Sequence, residues 1–213
     1  MNSNELRNNS WFKKNPLIAI LRGIETSEVV DVAEKLIEND FRFIEVPLNS
    51  PNAIESIKLL IEKFGTEAMI GAGTVTDIKK LDSVLATGAK LIVTPNMNPQ
   101  VIEKAVENNC LVCCGVSTPT EAFNAIGHGA TVLKFFPAET IKPAGLKAVK
   151  SVLPPEIICI AVGGINPDSK LLSNYIAAGA EGFGLGSNLY KRGISLSTLE
   201  QNAIEYRNAW RQL

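Results

Sequence analysis

The sequence predicts an α/β protein: a compact (β/α)8 barrel with an extra N-terminal helix, built as a single domain from residues 1–213. Three observations lead there. Short apolar, often β-branched runs alternate with longer amphipathic stretches along the whole chain, the pattern of βαβ units feeding a buried parallel sheet. Eight such runs occur in 213 residues, about 27 residues per unit, which is tight but feasible for a closed barrel. No Gly-x-Gly-x-x-Gly follows the first run, which disfavours an open doubly wound sheet, the alternative that periodicity leaves standing.

The elements follow in order. Residues 3 to 14 precede the first apolar run and are expected to form the extra helix. The strands are expected at Leu17 to Leu21, Phe43 to Val46, Ala68 to Ala72, Leu91 to Val93, Leu111 to Cys114, Val132 to Phe135, Ile158 to Val162 and Gly182 to Leu185. Between them, spacings such as Val29, Val30, Ala33, Leu36 and Ile37 put apolar side chains on one helical face. Ser50-Pro51, Asn98-Pro99, Thr118-Pro119 and Asn166-Pro167 each pair a capping residue with a proline suited to the first helical position. Thr118 is followed three residues on by Glu121, the spacing of a reciprocal capping box. Gly88-Ala89, Gly129-Ala130 and Gly179-Ala180 mark helix ends, where a left-handed glycine turns the chain back toward the sheet. The stretch from Ile194 to Leu213 supplies the last helix.

Composition removes several function classes. With 21 Lys plus Arg against 22 Asp plus Glu and a formal charge of −1, no overall field favours a nucleic-acid backbone or an anionic membrane. The first ten residues hold no apolar run and no stretch is long enough to span a bilayer, so a cytoplasmic protein is expected. Cys110, Cys113, Cys114 and Cys159 lie in apolar runs and read as small core residues. The only histidine, His128, sits in Gly-His-Gly, a poor setting for a Cys-His nucleophile. No acidic or histidine cluster points to a metal, so neither metal nor cofactor is expected.

In a barrel the reactive groups come from strand C-terminal ends, so charged residues inside apolar strands stand out. Lys134 lies in Thr-Val-Leu-Lys-Phe-Phe-Pro, Glu45 in Phe-Ile-Glu-Val-Pro, and Arg22 ends Leu-Ile-Ala-Ile-Leu-Arg. A lysine among Leu133, Phe135 and Phe136 is partly desolvated, which lowers its pKa and leaves free amine to attack a carbonyl. It then reads as a Schiff-base lysine, or, on the alternative, as a lysine paired with a buried carboxylate or reaching for the barrel rim. Glu45 reads as the group that moves protons during imine chemistry, or as an ion-pair partner of Lys134 or Arg22. Gly163-Gly164 and Gly186-Ser187, after the seventh and eighth strands, suit backbone approach to a phosphate. Thr74 and Pro95 follow the third and fourth strands, as a hydroxyl donor and an apolar wall or as ordinary turn residues.

PLIAILRGI (16–24), EVPLNSP (45–51), IGAGTV (70–75), LIVTPN (91–96), LKFFPAE (133–139), AVGG (161–164) and GLGSNLY (184–190) together resemble the 2-keto-3-deoxy-6-phosphogluconate and -galactonate aldolases. The motifs appear in order over nearly the whole chain. The resemblance implies a class I aldolase, commonly a homotrimer. Its substrate would be a phosphorylated keto-deoxy sugar acid, cleaved reversibly to pyruvate and D-glyceraldehyde 3-phosphate. It carries the Schiff base onto Lys134, the proton shuttle onto Glu45 and substrate carboxylate binding onto Arg22 and Thr74. Phe136 and Pro95 would line the pocket, and Gly163, Gly164, Gly186 and Ser187 would bind phosphate. The gluconate branch often carries arginine where this chain has Asn49; with Arg22 on the first strand, Asn49 looks like the galactonate branch. LKFFPAE fits either branch, so gluconate or dual activity stays open. From other function classes, a phosphosugar isomerase or epimerase and a non-catalytic phosphosugar sensor remain alternatives.

Overall fold

Residues 1–213, all described by the computed structural model, form eight parallel strands closed into a barrel in the order β1 to β8. The strands are β1 (Leu17–Ile20), β2 (Phe43–Pro47), β3 (Met69–Gly73), β4 (Leu91–Val93), β5 (Leu111–Val116), β6 (Val132–Phe135), β7 (Ile158–Val162) and β8 (Gly182–Leu185). Closure is direct, because Leu17, Ile18 and Ala19 of β1 pair with Phe183, Gly184 and Leu185 of β8. The chain is therefore the predicted (β/α)8 barrel.

Ten helices pack against it. They are α1 (Ser3–Asn8), α2 (Ser10–Lys14), α3 (Val29–Glu38), α4 (Ala53–Phe64), α5 (Ile78–Leu85), α6 (Pro99–Glu107), α7 (Pro119–Gly127), α8 (Ala138–Lys150), α9 (Ser169–Ala177) and α10 (Leu196–Arg211). The expected caps at Asn98 and Thr118 are present, Thr118 with its full capping box to Glu121. Gly88, Gly129 and Gly179 adopt φ of +85°, +97° and +103° at the ends of α5, α7 and α9, the left-handed turn their sequence context predicts.

Several strand ends and the start of the last helix shift by one or two residues from the sequence reading, and three helical features differ because a side chain finds another partner. The N-terminal segment is two helices. Asn9 ends α1 in extended geometry and accepts from the backbone N–H groups of Trp11 and Phe12, starting α2 at an angle. Ser50-Pro51 does not open α4, since the Ser50 hydroxyl accepts from the Gly23 N–H at 2.8 Å and the helix starts after a left-handed Asn52. Asn166-Pro167 does not open α9: the Asn166 side chain is engaged by Asn188, and Asp168 caps the helix through Lys170 N–H at 2.8 Å.

The alternation of strand side chains divides the core into two layers. Leu17, Ala19, Ile44, Val46, Leu133, Phe135, Cys159 and Ala161 point outward and pack beneath the helices. Ile18, Ile20, Phe43, Leu91, Val93, Val132, Ile158, Ile160 and Val162 fill the barrel together with Leu6 and Phe12 from the two N-terminal helices. These helices plug the barrel at the end where the strands begin. Arg7 fastens the plug, donating from Nε and Nη2 to the two carboxylate oxygens of Glu181, each at 2.7 Å. Leu6 is 1% exposed, so Leu6→Ala is expected to cost about 3 kcal/mol through lost burial and the cavity left behind. Urea denaturation should show a lower midpoint with kcat unchanged, because the plug lies at the end of the barrel opposite the strand C-termini.

Candidate active site

The inward alternation that places Phe43 and Val132 inside the barrel continues, two residues on, to Glu45 and Lys134. The backbone pairs Glu45 with Ile20 and Gly71, and Lys134 with Gly115 and Ile160. Both side chains are buried, 2% and 5% exposed. Neither forms an ion pair; the carboxylate atom Oε2 of Glu45 is buried without any hydrogen-bond partner. The Lys134 ammonium instead lies 4.8 Å from the centre of the Phe136 ring, which continues the same inward row.

Burial pushes the Glu45 carboxyl up to about 7, with Lys134 and Arg22 pulling the other way. Burial likewise lowers the Lys134 ammonium, opposed chiefly by Glu45. Two groups that would sit far apart in water are thereby drawn toward each other's range, and the Glu45 carboxyl is placed where it can both give and take a proton near neutrality.

Small residues make this possible. A methyl group added to Gly73 would lie 1.4 Å from Glu45 Oε2 and 2.7 Å from Oε1, so the absence of a side chain at Gly73 is what leaves space for the carboxylate. The sequence reading missed Gly73, although it follows Gly71 in the inward register of β3. Immediately beyond it, Thr74 holds a left-handed backbone with φ +58°, a strained state for a β-branched residue and one that concentrates at functional sites. Thr94 is fully buried; its hydroxyl accepts from Gly115 N–H at 3.1 Å and donates to the Asn96 carbonyl at 2.6 Å, fixing the turn that carries Pro95.

A cavity of about 460 Å³ opens at the strand C-termini, within the range of small-ligand sites. It brings together Arg22, Lys134, Phe136, Gly163, Gly164, Gly186 and Ser187 of the sequence-predicted set. Glu45, Thr74 and Pro95 lie outside its lining, and Asn49 reaches it through Arg22, whose Nη1 donates to Asn49 Oδ1 at 3.3 Å. At the far end, Gly163 and Gly164 have φ of +103° and +68°. The same end also carries Asn188, Tyr190, Lys191 and Arg192 from the segment after β8; the sequence reading missed these, although Ser187 placed that segment at the site. Arg192 pairs with Glu25, and Tyr190 donates to Glu28 at 2.6 Å.

The family model "KDPG and KHG aldolase" matches residues 9–204. A 2-dehydro-3-deoxy-6-phosphogalactonate aldolase of Escherichia coli K12 is 43% identical over 95% of this chain and 98% of its own. The solved "Native KDPGal structure" superposes with a TM-score of 0.91 at 43% identity, over 93% of this chain and 96% of that one. A KDPG aldolase from Legionella pneumophila, solved with pyruvate captured as a covalent carbinolamine intermediate, is 27% identical with a TM-score of 0.79 over 94% of each chain.

Proposed function

Since the chain belongs to the KDPG and KHG aldolase family, we propose that it is a class I aldolase. It reversibly cleaves 2-dehydro-3-deoxy-6-phosphogalactonate to pyruvate and D-glyceraldehyde 3-phosphate. The observation that carries this reading is the inward-facing pair Lys134 and Glu45, buried, unpaired and shifted toward each other in proton affinity. The carbinolamine seen in the Legionella relative supports amine addition as the first step in this family.

Lys134 Nζ adds to the C2 ketone, and the carbinolamine hydroxyl leaves as water with a proton from Glu45, giving a cationic iminium. The Glu45 carboxylate, directly or through water, takes the C4 hydroxyl proton as the C3–C4 bond breaks. The bonding pair flows into the iminium to form an enamine, and glyceraldehyde 3-phosphate departs. Glu45 returns its proton to C3, and water hydrolyses the new iminium, releasing pyruvate and the free amine and returning one proton to the Glu45 carboxylate. One water is released and one consumed, and one carboxyl serves every proton transfer, for which an affinity near neutrality suits it.

In the bound substrate, Arg22, held by Asn49, and Thr74 meet the carboxylate, while Phe136 and Pro95 form apolar walls. Gly163, Gly164, Gly186 and Ser187 receive the phosphate, whose remote binding energy aligns the bond to be broken. The chain works as a homotrimer on this reading, as the family resemblance implies, and in the cytoplasm, which the four buried, unpaired cysteines suit.

The test is kcat/KM for pyruvate release from each C4 epimer, the 6-phosphogalactonate and 6-phosphogluconate keto-deoxy acids, with and without EDTA. The expected result is at least about tenfold preference for the galactonate form, the scale one oriented hydroxyl supports, with no effect of the chelator. Preference for the gluconate form would keep Lys134 and Glu45 and reverse the branch; inactivity on both would favour an isomerase or a sensor.

A further inference from the structure

The anion end of the cavity is built from two separate glycine-bearing arms, and glycine arms are intrinsically loose. One runs from β7 through Gly163 and Gly164, both in left-handed conformations, to Ile165 and Asn166. The other leaves β8 through Gly186 and Ser187, where a methyl group at Gly186 would touch nothing within 4 Å. A cradle of backbone N–H groups gains most when those groups are held in place before the anion arrives.

We propose that Asn188 is a positioning residue that locks the two arms into one cradle. Its amide Nδ2 donates to the Ile165 carbonyl at 3.2 Å and to Asn166 Oδ1 at 2.6 Å, spanning the gap between the arms. The Ile165 carbonyl cannot donate, so the amide must present nitrogen there. Both protons of the Asn188 amide are then committed, and its remaining atom is an oxygen that has nothing to offer a phosphate. Asn188 lines the cavity yet is built to brace, not to bind.

The brace is anchored to the rest of the fold. Tyr206 of α10 donates to the same Ile165 carbonyl at 2.6 Å, and Asn202 of α10 donates to the Leu189 carbonyl at 3.0 Å. The β8 arm is curled on itself by the Leu189 and Tyr190 N–H groups, which donate to the Gly186 carbonyl at 2.9 and 3.0 Å. Asn188 supplies the direct side-chain link from this arm to the β7 arm.

The inference rests on the phosphate assignment made above, and the test separates the two. Condensation with pyruvate is followed for D-glyceraldehyde 3-phosphate and for unphosphorylated D-glyceraldehyde, in the native enzyme and in Asn188→Ala and Asn188→Asp. The native enzyme is expected to prefer the phosphorylated aldehyde. Losing two neutral hydrogen bonds should raise KM for that aldehyde about tenfold in Asn188→Ala. Its kcat, and its kcat/KM for D-glyceraldehyde, should stay within about twofold of native. Asn188→Asp should be worse on the phosphorylated aldehyde alone, since it faces two acceptors with a third and adds negative charge beside the anion. Retained turnover of D-glyceraldehyde reports that each variant is folded. If the native enzyme prefers the phosphorylated aldehyde and Asn188→Ala preserves that preference, the brace is refuted while the phosphate site stands. Equal losses on both aldehydes also overturn it, by showing a general structural role. No native preference would remove the phosphate site and the brace with it.

Discussion

Lys134→Arg is expected to reduce kcat by on the order of 10⁴-fold or more, because it removes the amine on which the covalent route depends. Arginine keeps a positive charge beside Glu45 and over the Phe136 ring, so electrostatic support for the carboxylate survives. What it lacks is an amine whose hold on its proton is weakened by burial. The measurement is pyruvate release from the galactonate substrate, with far-UV circular dichroism to show that the barrel is intact. Borohydride with pyruvate should leave a reduced adduct on Lys134 of the native chain and none on the variant. Cleavage within tenfold of native, or a native chain that yields no adduct, would refute covalent catalysis through Lys134.

Gly73→Ala should lower kcat about 100-fold, the scale of loss when a catalytic group is displaced by about 1 Å. The new methyl group would occupy the position of the Glu45 carboxylate, and nothing in the surrounding barrel lets both fit as they stand. Gly73 is outside the left-handed region, so alanine brings no backbone strain and the effect is one of space alone. The Schiff base with pyruvate should still be trapped, more slowly, because Lys134 is untouched. Gly71→Ala provides the contrast: its methyl group would meet the Leu91 carbonyl oxygen at 1.8 Å, a backbone collision inside the sheet. That substitution should unfold the protein, whereas Gly73→Ala should leave the denaturation midpoint nearly unchanged. If Gly73→Ala turns over at the native rate, Glu45 does not act from the position seen here.

The same two glycines show why some of the site was legible in the sequence and some was not. Lys134 and Glu45 stand out because a charge within an apolar strand is conspicuous, and period-two alternation then puts both inside the barrel. Gly73 carries no such signal, since its function is the volume it leaves empty, and that volume belongs to a residue on the neighbouring strand. The strands were recoverable for a related reason: burial on both faces writes continuous apolar runs. Helix starts were recoverable only where no tertiary hydrogen bond claims the capping oxygen; Asn98 donates from its nitrogen to the Thr76 carbonyl and keeps its oxygen for the helix. Asn98 and Thr118 satisfy their own helices, whereas Ser50 is taken by Gly23 and Asn166 by Asn188. Local capping chemistry is lost wherever a tertiary hydrogen bond claims the same oxygen, and two of those claims arise beside the cavity mouth.

The seam between β1 and β8 bears on how the protein reaches its native state. Joining Ile18 to Gly184, and Arg7 to Glu181 beneath them, requires segments from the two extremes of the chain to meet, a loop closure that local contacts cannot reward in advance. Until it happens, the sheet is an open ribbon with two unpaired edges and an unplugged apolar interior, the form in which chains recruit one another. Slow refolding is therefore expected of this chain, because its end-to-end pairing costs loop entropy before local contacts can offset it.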